Sequence, residues 1–122
     1  MNEISYQNIL NTVFQSLPDE WERMVLRVSF EEDVCEIIYY VRDKSGAFKD
    51  CYELGTLSQD LLNQFAVIHY ECEKGRNSIP ERKRWNEMIL TIQCDGQFET
   101  EFVYEKIMTQ EKEDNWRRTY LK

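Results

Sequence analysis

Between Trp21 and Leu54 the chain carries three successive strand-like stretches separated only by short polar turns, and no other feature restricts the possible folds as severely. In "WERMVLRVSFEE", Met24, Leu26, Val28 and Phe30 fall on one side and Arg23, Arg27 and Ser29 on the other. Successive side chains of a strand point to opposite faces, so this is the pattern of a strand buried on one face. Glu31-Glu32-Asp33 makes the turn into "VCEIIYYVRD", which is rich in the β-branched and aromatic side chains that fit a pleated surface. Lys44-Ser45-Gly46 turns the chain again into "AFKDCYEL", where Phe48, Tyr52 and Leu54 mark one face. Strands joined by connections this short pair antiparallel, so a meander is expected.

The flanks read as helices and one further hairpin. Tyr6, Ile9, Leu10, Val13, Phe14 and Leu17 follow a helical rhythm, closed by Pro18 because the residue before proline is pushed out of the helical region. Thr56 and Gln59 have capping-box spacing ahead of a helix whose apolar stripe is Leu57, Leu61, Leu62, Phe65 and Ile68, and Gly75 is the expected stop. "EKGRNSIPERKR" is the expected loop. Asp95-Gly96 is a hairpin signal between a strand ending at Cys94 and one running from Gln97 to Glu105. On that last strand Phe98, Thr100, Phe102 and Tyr104 form the expected buried side, with Glu99 and Glu101 on the opposite one. Thr109 is placed to cap a closing helix bearing Trp116 and Tyr120. Helix, three strands, helix, two strands and helix make an α+β domain over residues 1–122, an antiparallel sheet of about five strands with helices packed on one face.

Charge narrows the partners. The chain carries a net charge of −8, and its sixteen aromatic residues argue for a folded core despite 31% charged residues. Residues 1–43 hold nine acids against three bases, 44–86 six against seven, and 87–122 eight against five. A nucleic-acid binder needs a basic face, whereas an acidic surface favours a basic partner. The basic knot Arg82-Lys83-Arg84 reads as a solvated loop. The first residues lack a basic start and an apolar run, and no stretch approaches the length of apolar chain that spans a bilayer. The expectation is a soluble, cytoplasmic protein with no membrane contact.

The search for chemistry yields little. Glu99 and Glu101 share a strand face about 6.6 Å apart along the axis, a spacing that in a cleft suits a carboxylate pair; nothing in the sequence builds the cleft, and a solvated acidic face is expected. His69 and Cys72 form half a zinc site, with no second ligand pair at suitable spacing. The four cysteines, at 35, 51, 72 and 94, form no CxxC and read as reduced, core or half-buried residues. No phosphate-binding glycine loop, metalloprotease or serine-hydrolase motif is present. No enzyme, metal or cofactor is expected. Tyr39 and Tyr40 lie on opposite faces of the second strand, so one ring of the two is a candidate surface anchor beside the ordinary reading of sheet packing.

The ordered set "LPDEW", "IIYYVRD", "CYEL", "WNEMILTI", "DGQFETEFVYE" and "WRRTYL", with Trp21, Gly96, Phe98, Phe102, Tyr104 and Trp116 within or beside it, resembles the YezG-type immunity proteins from about Ile9 to Leu121. Gln97 stands where a lysine often follows the turn glycine. The resemblance implies a cytoplasmic antitoxin that binds a cognate secreted polymorphic toxin, commonly a nuclease, and does no chemistry. A nuclease holds polyphosphate on a basic surface, which an acidic protein can occupy, either at the active site or beside it. Charge segregation then puts the toxin-binding face at Glu31, Glu32, Asp33 and Glu36, with Glu99 and Glu101 and with Tyr39 or Tyr40 as aromatic anchors. A homo-oligomer is compatible with this reading. The alternative is a non-catalytic regulatory domain that binds a small ligand or peptide.

Overall fold

The computed structural model describes residues 4–31, 34–104 and 109–121. The chain runs α1 (Tyr6–Phe14), β1 (Trp21–Glu31), β2 (Val34–Asp43), β3 (Phe48–Asp50), α2 (Ser58–Asn77), β4 (Glu87–Gln93), β5 (Phe98–Val103) and α3 (Gln110–Tyr120), with a 3₁₀ turn at Glu81–Lys83. The fold is α+β, and its five strands form one antiparallel sheet in the order β3-β2-β1-β4-β5. β1 is therefore central. It pairs with β2 from Glu31↔Val34 to Trp21↔Asp43, and its other edge pairs with β4 from Ser29↔Glu87 to Arg23↔Gln93. The 20 residues of α2 extend about 30 Å. That exceeds the roughly 14 Å from β3 to β4 at the usual strand spacing, so the helix returns the chain across the sheet to the free edge of β1.

Alternation divides the sheet into two unequal faces. On the first, Met24, Leu26 and Val28 of β1, Tyr39 and Val41 of β2, and Met88, Leu90 and Ile92 of β4 pack against Ile9 and Val13 of α1 and Leu61, Ile68 and Cys72 of α2. Trp85 closes this core, edge-on to Phe30 with centroids 5.6 Å apart and 5.2 Å from the Phe102 ring. The Tyr39 hydroxyl donates to Gln64 Oε1 at 2.7 Å, and Gln64 Nε2 donates to Ser16 Oγ at 2.6 Å, so the polar atoms taken into the core are paired. The second face holds a smaller cluster of Val25, Tyr40, Ile89 and Trp116, the last supplied by α3.

Several local expectations change. α1 ends at Phe14, and residues 15–17 leave it in turns. β3 has only three paired residues; beyond it Tyr52 is exposed while Cys51 is fully buried. The expected Thr56 cap is not made: Leu57 is the N-cap of α2, with no side-chain hydrogen bond. Leu57 and Leu62 are exposed, whereas Leu61 and Ile68 are buried. Gly75 does not end the helix. It lies two residues inside it, and an added Cβ would come within 2.4 Å of Ile4 Cγ1, so its role is to let the N-terminal segment lie against α2. On β5, Phe102 is half-buried, but Phe98, and Tyr104 just past the strand's end, are exposed rather than core. The β4–β5 turn does form as expected. Gly96, at φ +95°, occupies the left-handed region, while the Gly96 N–H bonds Gln93 O and the Gln93 N–H bonds Gln97 O.

One buried carboxylate ties α1 to α2. Glu71 accepts from Ser5 N at 3.0 Å, Asn8 Nδ2 at 2.9 Å and Lys74 Nζ at 2.9 Å. Burial works to raise its pKa, yet the bonds from Asn8, Lys74 and Ser5 prevail and hold it below the ordinary glutamate value.

Candidate interaction face

The side chains on the second face of β1 are Arg23, Val25, Arg27, Ser29 and Glu31; β2 adds Glu36, Ile38, Tyr40 and Arg42, β4 adds Glu87, Ile89 and Thr91, and β5 adds Glu99, Glu101 and Val103. α3 lies against this mixed surface. Its N-terminus is set by Thr109, whose hydroxyl accepts from Lys112 N at 3.2 Å, and Glu111 and Glu113 in the first turn complement the helix dipole.

Trp116, Glu113 and Tyr120 make the principal contacts that hold the helix. Trp116 is buried, 5.8 Å from the Tyr40 ring, and the Arg27 guanidinium lies 4.3 Å from a Trp116 ring centroid. Arg27 Nη1 donates to Glu113 Oε2 at 2.8 Å, and Arg27 Nε donates to Glu87. Tyr120 donates to Glu101. Burial opposes the charge on Arg27, but the hydrogen bonds and fields of Glu113 and Glu87 more than restore it, and its pKa lies above the ordinary arginine value. The Tyr120 hydroxyl is pushed well up, by burial first and then by the Glu101 carboxylate.

Between α3 and the strands runs a trough of about 660 Å³. Ile38, Tyr40 and Trp116 line it, Glu87 and Glu113 share Arg27 as an ion-pair partner in its wall, and Glu31 and Glu36 stand exposed along it. Ser29 faces Glu36 and Glu31 faces Val34, so Glu31 and Glu36 are diagonal neighbours on one face. Neither makes an ion pair among the described residues.

The residues singled out in the sequence thus separate into groups. Glu31, Glu36 and Tyr40 come together at the trough, where Tyr40 is 7% exposed. Tyr39 does not reach the surface; it is wholly buried in the first-face core, where burial pushes its pKa up to about 12. Glu99 and Glu101 are exposed on β5 and do not line the trough, and Glu101 is engaged by Tyr120. Glu32 and Asp33 lie outside the described residues. Arg27, Glu87, Glu113 and Trp116 were not singled out as a group. The available signal was apolar chemistry on both faces of β2 and β4, as in "IIYY" and "EMILTI", which means that both faces are covered.

The other candidates stay apart from this face. His69 is exposed and contacts Glu73 Oε2 at 2.9 Å, while Cys72 is fully buried, so the two do not share a site. Among the described residues no three His, Cys, Asp or Glu side chains gather as metal ligands. Burial raises the thiols of Cys35, to about 11, and Cys72, to about 12, away from thiolate reactivity. Cys94 is exposed, contrary to its reading as core or half-buried. Arg82 and Lys83 are exposed in the 3₁₀ turn, and Arg84 Nε donates to Ile79 O at 2.9 Å. Among the described residues no helix is long and apolar enough to cross a membrane.

Its sequence places this α+β protein among the immunity proteins. The family model described as "Immunity protein YezG-like" matches residues 1–122, and the chain belongs to that family. It is 24% identical over 127 aligned positions to immunity protein YezG of Bacillus spizizenii, an alignment that covers 93% of this chain and 74% of the relative. Family membership gives the chain an immunity, or antitoxin, role, with a toxin as the partner it implies.

Proposed function

We propose that this chain, folded as one domain, neutralises its toxin by binding it through the acidic second face of the sheet, that the toxin is a nuclease with a basic surface, and that the complex forms in the cytoplasm without chemistry by the immunity protein. The observation that carries the reading is the pair Glu31 and Glu36, exposed on one face of a chain of net charge −8 and without an ion-pair partner among the described residues. An unneutralised acidic surface speeds the encounter with a polyphosphate-binding surface and aligns it. Glu32 and Asp33 belong to the proposed face by sequence, Tyr40 is the aromatic member nearest it, and Glu99 and Glu101 extend the acidic surface along β5. The raised thiols and the separation of His69 from Cys72 support a non-catalytic role.

The test uses the product of the gene adjoining this one, which the reading expects to be the toxin. Cells expressing that product are expected to survive only when this protein is present, and its nuclease activity is expected to fall to background on addition of one equivalent. Reversing charge at Glu31, Glu32 and Asp33 is expected to weaken binding and flatten its salt dependence. Unchanged affinity and salt dependence would remove the acidic face from the interface. A purified protein that turns over a substrate, or that leaves the cells unprotected, would end the reading itself.

A further inference from the structure

Resting on that reading, we infer that the toxin is gripped by insertion: an extended basic segment of it lies in the trough between α3 and strands β1 and β2, with an arginine or lysine seated between Glu31 and Glu36. Three features select this occupant. The trough's about 660 Å³ is space for several side chains, and its Ile38, Tyr40 and Trp116 lining suits the aliphatic stem of a long cation. Its charges are unevenly settled. The lining carries four carboxylates against two cations, Arg27 and Lys112; Arg27 is shared between Glu87 and Glu113, and Glu31 and Glu36 are diagonal like charges with no ion pair among the described residues, which an incoming cation would satisfy together. Trp116 also supplies an indole N–H that is buried without an acceptor among the described residues. That donor is covered by its neighbours, so a peptide carbonyl of the seated segment would meet it only if α3 shifted. A second copy of the chain is a poor occupant, because each copy carries −8. An anionic ligand would face unneutralised carboxylates.

The product of the adjoining gene is again the probe, with three variants measured beside the wild type. Glu31→Lys/Glu36→Lys is expected to weaken binding on the order of 100-fold. Thr119→Trp, on the exposed trough-lining side of α3, changes no charge and is expected to weaken it about 10-fold by filling the space. Asp19→Lys/Glu81→Lys makes the same change of net charge at exposed positions outside the trough and is expected to stay within about 3-fold of wild type. Thermal midpoints confirm that each variant folds, and the strand-surface pair alone decides the matter if the tryptophan variant does not. Equal losses in the two double variants would mean long-range attraction without seating and would overturn the inference while leaving the antitoxin reading intact. So would a wild-type dimer that Thr119→Trp dissociates, since a second copy would then fill the trough. A wild type that fails to bind the toxin would overturn both.

Discussion

The two faces of the sheet are built on opposite principles. The first is covered by α1 and α2 and filled with aliphatic, methionine and aromatic side chains whose few polar atoms are paired in place. The second is covered by one 11-residue helix over a small apolar cluster, and much of what holds that helix is charged: Arg27 with Glu87 and Glu113, and Tyr120 with Glu101. Apolar burial is non-directional and cumulative, so the first face supplies the stability of the fold. Ion pairs at a partly solvated surface contribute less, but they fix geometry and leave charge available to a partner.

Substitutions can test whether that division is real. The largest effect is expected at Trp85, nearly fully buried between Phe30 and Phe102. Trp85→Ala should cost about 3–5 kcal/mol in urea unfolding, and a loss below about 1 kcal/mol would show that the first face is not the stabilising one.

Arg27→Ala comes next, because it leaves Glu87 buried without its cation. We expect about 2–4 kcal/mol, below the full range for a sealed pair because Glu113 retains some contact with water. The double change Arg27→Leu/Glu87→Leu should recover most of that loss, since removing both charges abolishes the desolvation cost. If the double variant is no more stable than the single one, the network stabilises the second face beyond what apolar packing can replace.

Glu71 gives the smallest effect, about 1–2 kcal/mol for Glu71→Gln at neutral pH. Its pKa is depressed in the fold, so its contribution is fully present above the unfolded-state value and is lost as pH falls through the folded one. The gap in stability between wild type and Glu71→Gln should therefore be constant near neutrality and close in acid. A gap that persists well below pH 4 would mean that the glutamine variant is strained for a reason unrelated to charge.

How much of this was legible in the sequence depended on the range of the interactions involved. β1 and β2 were readable nearly to the residue, because alternation and turn composition are local and the Glu31↔Val34 pairing follows from a connection this short. Ser5 and Thr109 cap their helices through nearest-neighbour hydrogen bonds, and for Thr109 the sequence signal was sufficient. Thr56 shows the limit: its spacing matched a capping box, but the helix starts one residue later, with Leu57 as its N-cap. Gly75 was misread because Ile4 requires the open space and lies far away in sequence. Tyr39 and Tyr40 could be assigned to opposite faces, though not to the one that stays accessible, because that depends on which helices cover each face.

The sequence by itself determined the α+β class, the number and direction of the strands, and a net negative charge concentrated toward the two ends of the chain. All of these follow from side-chain period, turn chemistry and composition. Only the tertiary structure decided that β4 pairs with the free edge of β1, that α3 closes over the face bearing Arg27, and that Glu31 and Glu36 border a trough while Glu99 and Glu101 do not. Those outcomes depend on contacts between segments tens of residues apart. Burial and charge pairing fix them across the whole assembled sheet, and no local window of sequence contains both partners.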